Sequence, residues 1–182
     1  MDSPFMDRVA DGIAVHGFRV LRFEFPYMRE RRLTGKRVRP DCLDLLINDW
    51  KKVLSELGDP KKLVIGGKSV GGHFAAKVAD EMGVRGVVCL GYPFLLPHNQ
   101  EPFDISHLFK MKSPTIIIQG SHDPYGQQGT INEDAISSTA TLHWLPKANH
   151  DLHPVAGCNK TYDENILEAM EKVAEFIDFL QN

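Results

Sequence analysis

The sequence predicts an α/β fold, a three-layer α/β/α sandwich around a mostly parallel sheet. Residues 63–65, 86–90, 115–119 and 141–145 are short continuous apolar runs. They have strand length and no alternation, as expected of strands covered on both faces. Segments of helical periodicity stand between and around them, which favours parallel pairing. A third observation locates the chemistry. The first run ends in Gly66-Gly67 and a helical pattern begins at Val70, so Gly67-Lys68-Ser69-Val70-Gly71 fits the G-x-S-x-G strand-to-helix turn with Ser69 at its tip.

Taken in order, Ser3 and Pro4 read as an N-cap and first-turn proline, and Phe5, Val9 and Ile13 recur at helical spacing as far as His16-Gly17. Residues 19–25 alternate Val20, Leu21, Phe23 and Phe25 with charged residues and read as a strand. Residues 26–39 read as a basic loop, with Arg29, Arg31, Arg32, Lys36, Arg37 and Arg39 against Glu30. Pro40 is expected to open an amphipathic helix with Leu43, Leu46, Ile47, Trp50, Leu54 and Leu57 on one face, ended by Gly58. The helix after Ser69 uses Phe74, Val78 and Met82 and stops at Gly83. An irregular stretch is expected over 91–113 and a weak helix within 129–138. Ile166, Met170, Val173, Ile177 and Leu180 mark a closing helix.

The chain has 182 residues, 42% hydrophobic and 25% charged, with a net charge of −3. That length suits a single domain, 1–182, able to bury about 70% of its unfolded surface. The charge balance points away from nucleic acid or an anionic membrane as a partner. No apolar run is long enough to cross a bilayer, and the N-terminus lacks the basic start and apolar core of a signal peptide. Cys42, Cys89 and Cys158 are odd in number and widely spaced, which reads as free thiols in a reducing cytoplasm.

Active sites in parallel sheets lie at the carboxyl ends of the strands. Three such exits carry Ser69, Asp123 in Gly-Ser-His-Asp-Pro, and His150 in Asn-His-Asp. A serine is a poor nucleophile until a histidine takes its proton, and that histidine needs an acid to fix its tautomer. The helix behind Ser69 aims unpaired N–H groups at the same point. Singly, Asp123 is an ordinary turn residue and His150 one of eight histidines. Together and in this order they make a nucleophile–acid–base set. Asp151 and Asp104 are alternate acids, His73 is a packed or solvated helix residue, and His122 leaves its strand too early to be the base. His150, Asp151 and His153 have no second ligand cluster, so no metal is expected, and no cofactor is implied. Lys62 stands where a phosphate-binding P-loop needs glycine. The basic segment reads as a solvated face, with guidance of an anionic substrate as the alternative.

The stretches MDSPFM, LRFEFPYM, GGKSVGG, LGYPF, IIIQGSHDPYG and ANHDLHP resemble the α/β-hydrolase superfamily. The likeness is to its small lidless bacterial members near the dienelactone-hydrolase and KANL/Tex-type branches, and it spans nearly the whole chain. It implies a serine hydrolase with Ser69, Asp123 and His150 as a triad, the Val70 backbone N–H as an oxyanion donor, and a small ester or thioester as substrate. Tyr92, Phe94 and Leu95, with Leu96 and Phe103, are candidates for a shallow apolar acyl site, filling of the sheet edge being the alternative. Relatives carry a strand and an oxyanion loop ahead of the segment matching MDSPFM, so an N-terminally truncated α/β-hydrolase fold is expected. That leaves two readings open: an esterase-like enzyme, or a hydrolase-fold binding or scaffold protein without useful turnover. An acyl transferase is a third. A homodimer through an exposed sheet edge is a further expectation.

Overall fold

A computed structural model describes residues 3–96 and 103–181; part of the irregular stretch, residues 97–102, lies outside it, as do Met1 and Asp2. Among the described residues nine α-helices and strands follow one another: α1 (Pro4–Ala14), α2 (Pro26–Thr34), α3 (Leu43–Glu56), β1 (Val64–Lys68), α4 (Val70–Met82), β2 (Gly86–Leu90), β3 (Thr115–Gly120), β4 (Ala140–Leu145) and α5 (Tyr162–Gln181). The four strands pair in parallel in the order β1-β2-β3-β4. Register is set by pairs such as Ile65 with Val87, Val88 with Ile116, and Ile117 with Leu142. The α/β sandwich with a mostly parallel sheet is therefore the architecture.

Because successive side chains of a strand point to opposite faces, each apolar run feeds two cores. Val87, Cys89 and Ile117 pack with α3 and α4, through Trp50, Leu54, Phe74 and Val78. Val88, Leu90, Ile116 and Ile118 pack with α1 and α5, through Val9, Ile166, Met170 and Val173. The helices start where their chemistry dictates. Ser3 Oγ accepts the Met6 N–H at 3.3 Å with Pro4 in the first turn. At α5, Thr161 and Glu164 cap each other reciprocally. Gly83 ends α4 in the left-handed region at φ 64°.

Four expectations from the sequence are corrected. Residues 19–25 form no strand; their alternation is satisfied by burying Phe25 and packing Phe23 edge-on to Trp50, with no ladder partner. Consequently β1, the strand leading to Ser69, is an edge of the described sheet. The basic loop is partly helical: α2 begins at Pro26, is anchored by buried Tyr27, and closes on left-handed Gly35. Arginine is a good helix former, so a charged stretch without apolar periodicity still winds once both ends are fixed. The next helix starts at Leu43 rather than Pro40. The weak helix in 129–138 is a single 3-10 turn, Glu133–Ala135, and another turn, Ser106–Phe109, lies in the irregular stretch. Among the described residues no helix is long and apolar enough to cross a membrane.

Candidate active site

β1 runs directly into α4, and Ser69 is the residue between them. It holds φ 53° and ψ −125°, a region that a residue with a Cβ enters only when its surroundings force it. Those surroundings are glycines. A Cβ on Gly67 would stand 2.6 Å from the Gly71 carbonyl carbon, and one on Gly72 would stand 2.8 Å from the Gly67 oxygen. Gly71, in contrast, faces open space. The sequence pattern assigns the second close approach to Gly71; the fold assigns it to Gly72, about 100° further round the helix. The Ser69 N–H is tied to the Leu90 carbonyl at 2.9 Å. The amide of Val70 opens α4 with no partner among the described residues, as first-turn N–H groups do.

Asp123 leaves β3 three residues after its end. It is fully buried, and its carboxylate receives three donors or near-donors. Tyr125 N–H donates to Oδ1 at 2.8 Å, Gln119 Nε2 donates to Oδ2 at 2.8 Å, and His150 Nδ1 meets Oδ2 at 2.7 Å. An ionised carboxylate fills all three acceptor roles, so His150 presents Nδ1–H to it and leaves Nε2 for the rim. The ring lies over Gly91, where a Cβ would be 3.2 Å from Nδ1, and edge-on to Tyr125 at 4.6 Å. Asn149 staples the loop: its Oδ1 accepts the N–H groups of Asp151 and His153, and Leu152 takes a left-handed φ of 60°.

The two ends of the set meet through their chain neighbours. Lys68, just before Ser69, forms an ion pair with Asp151, just after His150, at 2.5 Å. The Lys68 ammonium holds the Asp151 carboxyl below its usual range. Gly91 links them a second way, following the Leu90 carbonyl that binds Ser69 and lying beneath the imidazole. The fold thus brings His150 and Asp123 into direct contact and puts Ser69 on the same rim; no hydrogen bond between Ser69 Oγ and the imidazole is formed among the described residues. The alternate acids are engaged elsewhere, Asp151 by Lys68 and Asp104 by Ser106 and Lys77. His122 bonds Ser121 at 2.9 Å, and His153 stacks on Tyr162.

Tyr92 and Phe94, expected to line an acyl site, are instead core side chains, 0% and 4% exposed, and Leu95 is half-buried. The polypeptide turns inward after Gly91, so these aromatics pack behind the site rather than facing it. Sequence reasoning missed Gln119. This fully buried amide accepts the Tyr92 N–H at 2.6 Å and donates to the Tyr92 oxygen and to Asp123. Its signal was a polar residue closing an otherwise apolar strand, since a buried amide must spend its hydrogen bonds locally.

Tyr92 Oη bridges His73 Nδ1 and His107 Nε2, each at 3.0 Å. Burial pushes His73 down to about 3 and His107 down to about 4. In the unfolded chain both return to the ordinary value near 6.5. As pH falls below that value the unfolded state binds protons that the folded state refuses. Stability is therefore complete above pH 6.5 and drains between there and about pH 4 for His107 and about pH 3 for His73. The expected loss is about 2 kcal/mol per histidine by pH 5. Urea unfolding at pH 7.5 and pH 5 measures it, and H107F should remove about half of the difference.

A model of the α/β-hydrolase domain matches residues 1–178. The chain belongs to that family. Solved α/β hydrolases superpose on this domain along most of its length. An α/β serine hydrolase homologue from Coxiella burnetii is 21% identical with a TM-score of 0.69, covering 96% of this chain and 76% of its own. The esterase domain of a Rhodothermus marinus protein is 18% identical with a TM-score of 0.63, covering 94% and 78%. A serine hydrolase without a lid from Xanthomonas campestris is 14% identical with a TM-score of 0.53, covering 95% and 75%. At these identities the likeness is one of fold.

Proposed function

We propose that this α/β-hydrolase domain is a serine hydrolase acting on a small ester or thioester through an acyl-Ser69 intermediate. The observation that carries the reading is the 2.7 Å contact between His150 Nδ1 and the buried Asp123 carboxylate, on the rim where Ser69 holds its strained turn. In the first step Ser69 Oγ attacks the substrate carbonyl carbon and its proton passes to His150 Nε2. The negative charge on the carbonyl oxygen faces the Val70 N–H at the positive end of α4. Collapse expels the alcohol or thiol, which takes the proton from His150. Water then repeats the sequence on the acyl group and frees Ser69. Asp123 stays ionised and steadies the imidazolium throughout. The likeness in fold to the Coxiella serine hydrolase homologue and to the Rhodothermus esterase domain lends support.

The second reading is a hydrolase-fold binding protein. It is favoured by the hydroxyl of Ser69 standing without a hydrogen bond to the imidazole. A fluorophosphonate probe separates the two: labelling of the wild type that is absent in S69A is expected, and equal or absent labelling in both would overturn the enzyme. The three unpaired cysteines support a reducing, cytoplasmic setting.

A further inference from the structure

The segment 29–39 carries six cationic residues against Glu30 in a chain whose net charge is −3. Part of that charge converges. A cavity of about 360 Å³ where α2 hands over to α3 is lined by Arg31, Arg37, Val38, Arg39 and Pro40, with no acidic side chain in its wall. Arg31 is held in place: its Nε donates to the Val38 oxygen at 2.6 Å, and its guanidinium lies 5.1 Å over the ring of buried Tyr27. Both of its Nη groups remain without a partner among the described residues. Arg37 and Arg39 are exposed on either side of half-buried Val38, and neither forms an ion pair among the described residues. Of the nearby acids, Glu30 forms no ion pair with Arg31, Arg37 or Arg39 among the described residues. Glu24 pairs with Arg32, and Asp41 acts on Tyr27 without an ion pair to any of the three arginines.

Three like charges around one hollow repel one another, and a fixed guanidinium loses little freedom when it binds. An anion in the hollow relieves the repulsion and supplies acceptors for the planar forks. Charge balance selects the anion. A carboxylate brings a single negative charge against three positive ones, whereas a phosphate ester brings about −1.5 to −2 at pH 7. We infer that Arg31, Arg37 and Arg39 form a binding site for a phosphoryl anion, the phosphate or diphosphate group of a small-molecule ligand. The site is independent of Ser69: it stands or falls on its own charges.

The test is calorimetric titration of the full chain at low salt with pyrophosphate, inorganic phosphate and acetate, compared with R37Q/R39Q and with K61Q/K62Q. The second variant removes the same charge ahead of β1. The wild type is expected to bind pyrophosphate or phosphate well ahead of acetate. R37Q/R39Q should weaken that binding at least about 10-fold, and added salt should weaken it further. K61Q/K62Q should retain it. Tighter binding of pyrophosphate than of phosphate assigns the diphosphate, and the reverse assigns the monoester. Absence of binding up to about 10 mM, equal affinity in R37Q/R39Q, equal loss in K61Q/K62Q, or acetate matching phosphate would each overturn the site. Fluorophosphonate labelling of Ser69 in the same samples is expected to be unchanged by R37Q/R39Q, which keeps this result separate from the serine-hydrolase reading.

Discussion

Replacing Asp123 by asparagine is expected to slow fluorophosphonate labelling of Ser69 by about 10³–10⁴-fold, without unfolding the protein. The amide fills the same volume, but Oδ2 accepts from both Gln119 Nε2 and His150 Nδ1. An asparagine that keeps its oxygen there no longer balances an imidazolium. One that turns its NH2 there drives His150 into the other tautomer and confronts Gln119 donor to donor. Q119L tests the support from behind. It removes a donor to Asp123 and leaves the Tyr92 N–H unanswered, so labelling should fall less than in D123N while stability falls by about 1–3 kcal/mol. Labelling rates across pH 5–9, with urea midpoints for each variant, measure both. A D123N rate within a factor of three of wild type would remove the aspartate from the proposed mechanism.

The second large effect is on folding. A Cβ on Gly66 would sit 2.3 Å from the Val88 carbonyl oxygen, and one on Gly67 2.6 Å from the Gly71 backbone. Both obstacles are backbone and neither can swing aside, so the strand pair or the strand-to-helix turn must open. G66A and G67A are each expected to cost roughly 3–5 kcal/mol, at the severe end for single substitutions. G71A is the control. Its Cβ meets nothing within 4 Å, and alanine in a helix gains about 0.5–1 kcal/mol over glycine. Denaturant unfolding of the three variants separates crowding of the turn from loss of glycine as such.

Much of the architecture was legible because β2 and β3 are buried along their whole length and so read as unbroken apolar runs, whereas β4 is partly exposed and is marked only by Leu142, Trp144 and Leu145. The Ser69, Asp123 and His150 positions were legible as residues that follow the carboxyl ends of β1, β3 and β4. What escaped lacked a periodic or compositional mark. Residues 19–25 have a strand's alternation, yet alternation records only which side chains turn inward, and half-buried Phe23 and buried Phe25 pack against Trp50 and Phe74 without a ladder. The helix α2 escaped because its arginines outnumber its single buried anchor, Tyr27. The choice between Gly71 and Gly72 depends on helix rotation, which a spacing pattern does not carry. Gln119 was visible as a letter, but its work depends on where Tyr92 turns.

The strand order 1-2-3-4 has a consequence for how the molecule is made. The links between its strands, α4 and the segments bearing Leu108 and Ile136, all pack on one side of the sheet, as same-handed crossovers in one direction require. Among the described helices, α1 and α5 roof the opposite side and lie against each other. During synthesis the first layer can settle as soon as the strands emerge, but Val88, Leu90, Ile116 and Ile118 have only α1 to cover them until the twenty-residue α5 leaves the ribosome. Until then the nascent chain presents a greasy plane, the kind of surface chaperones seize.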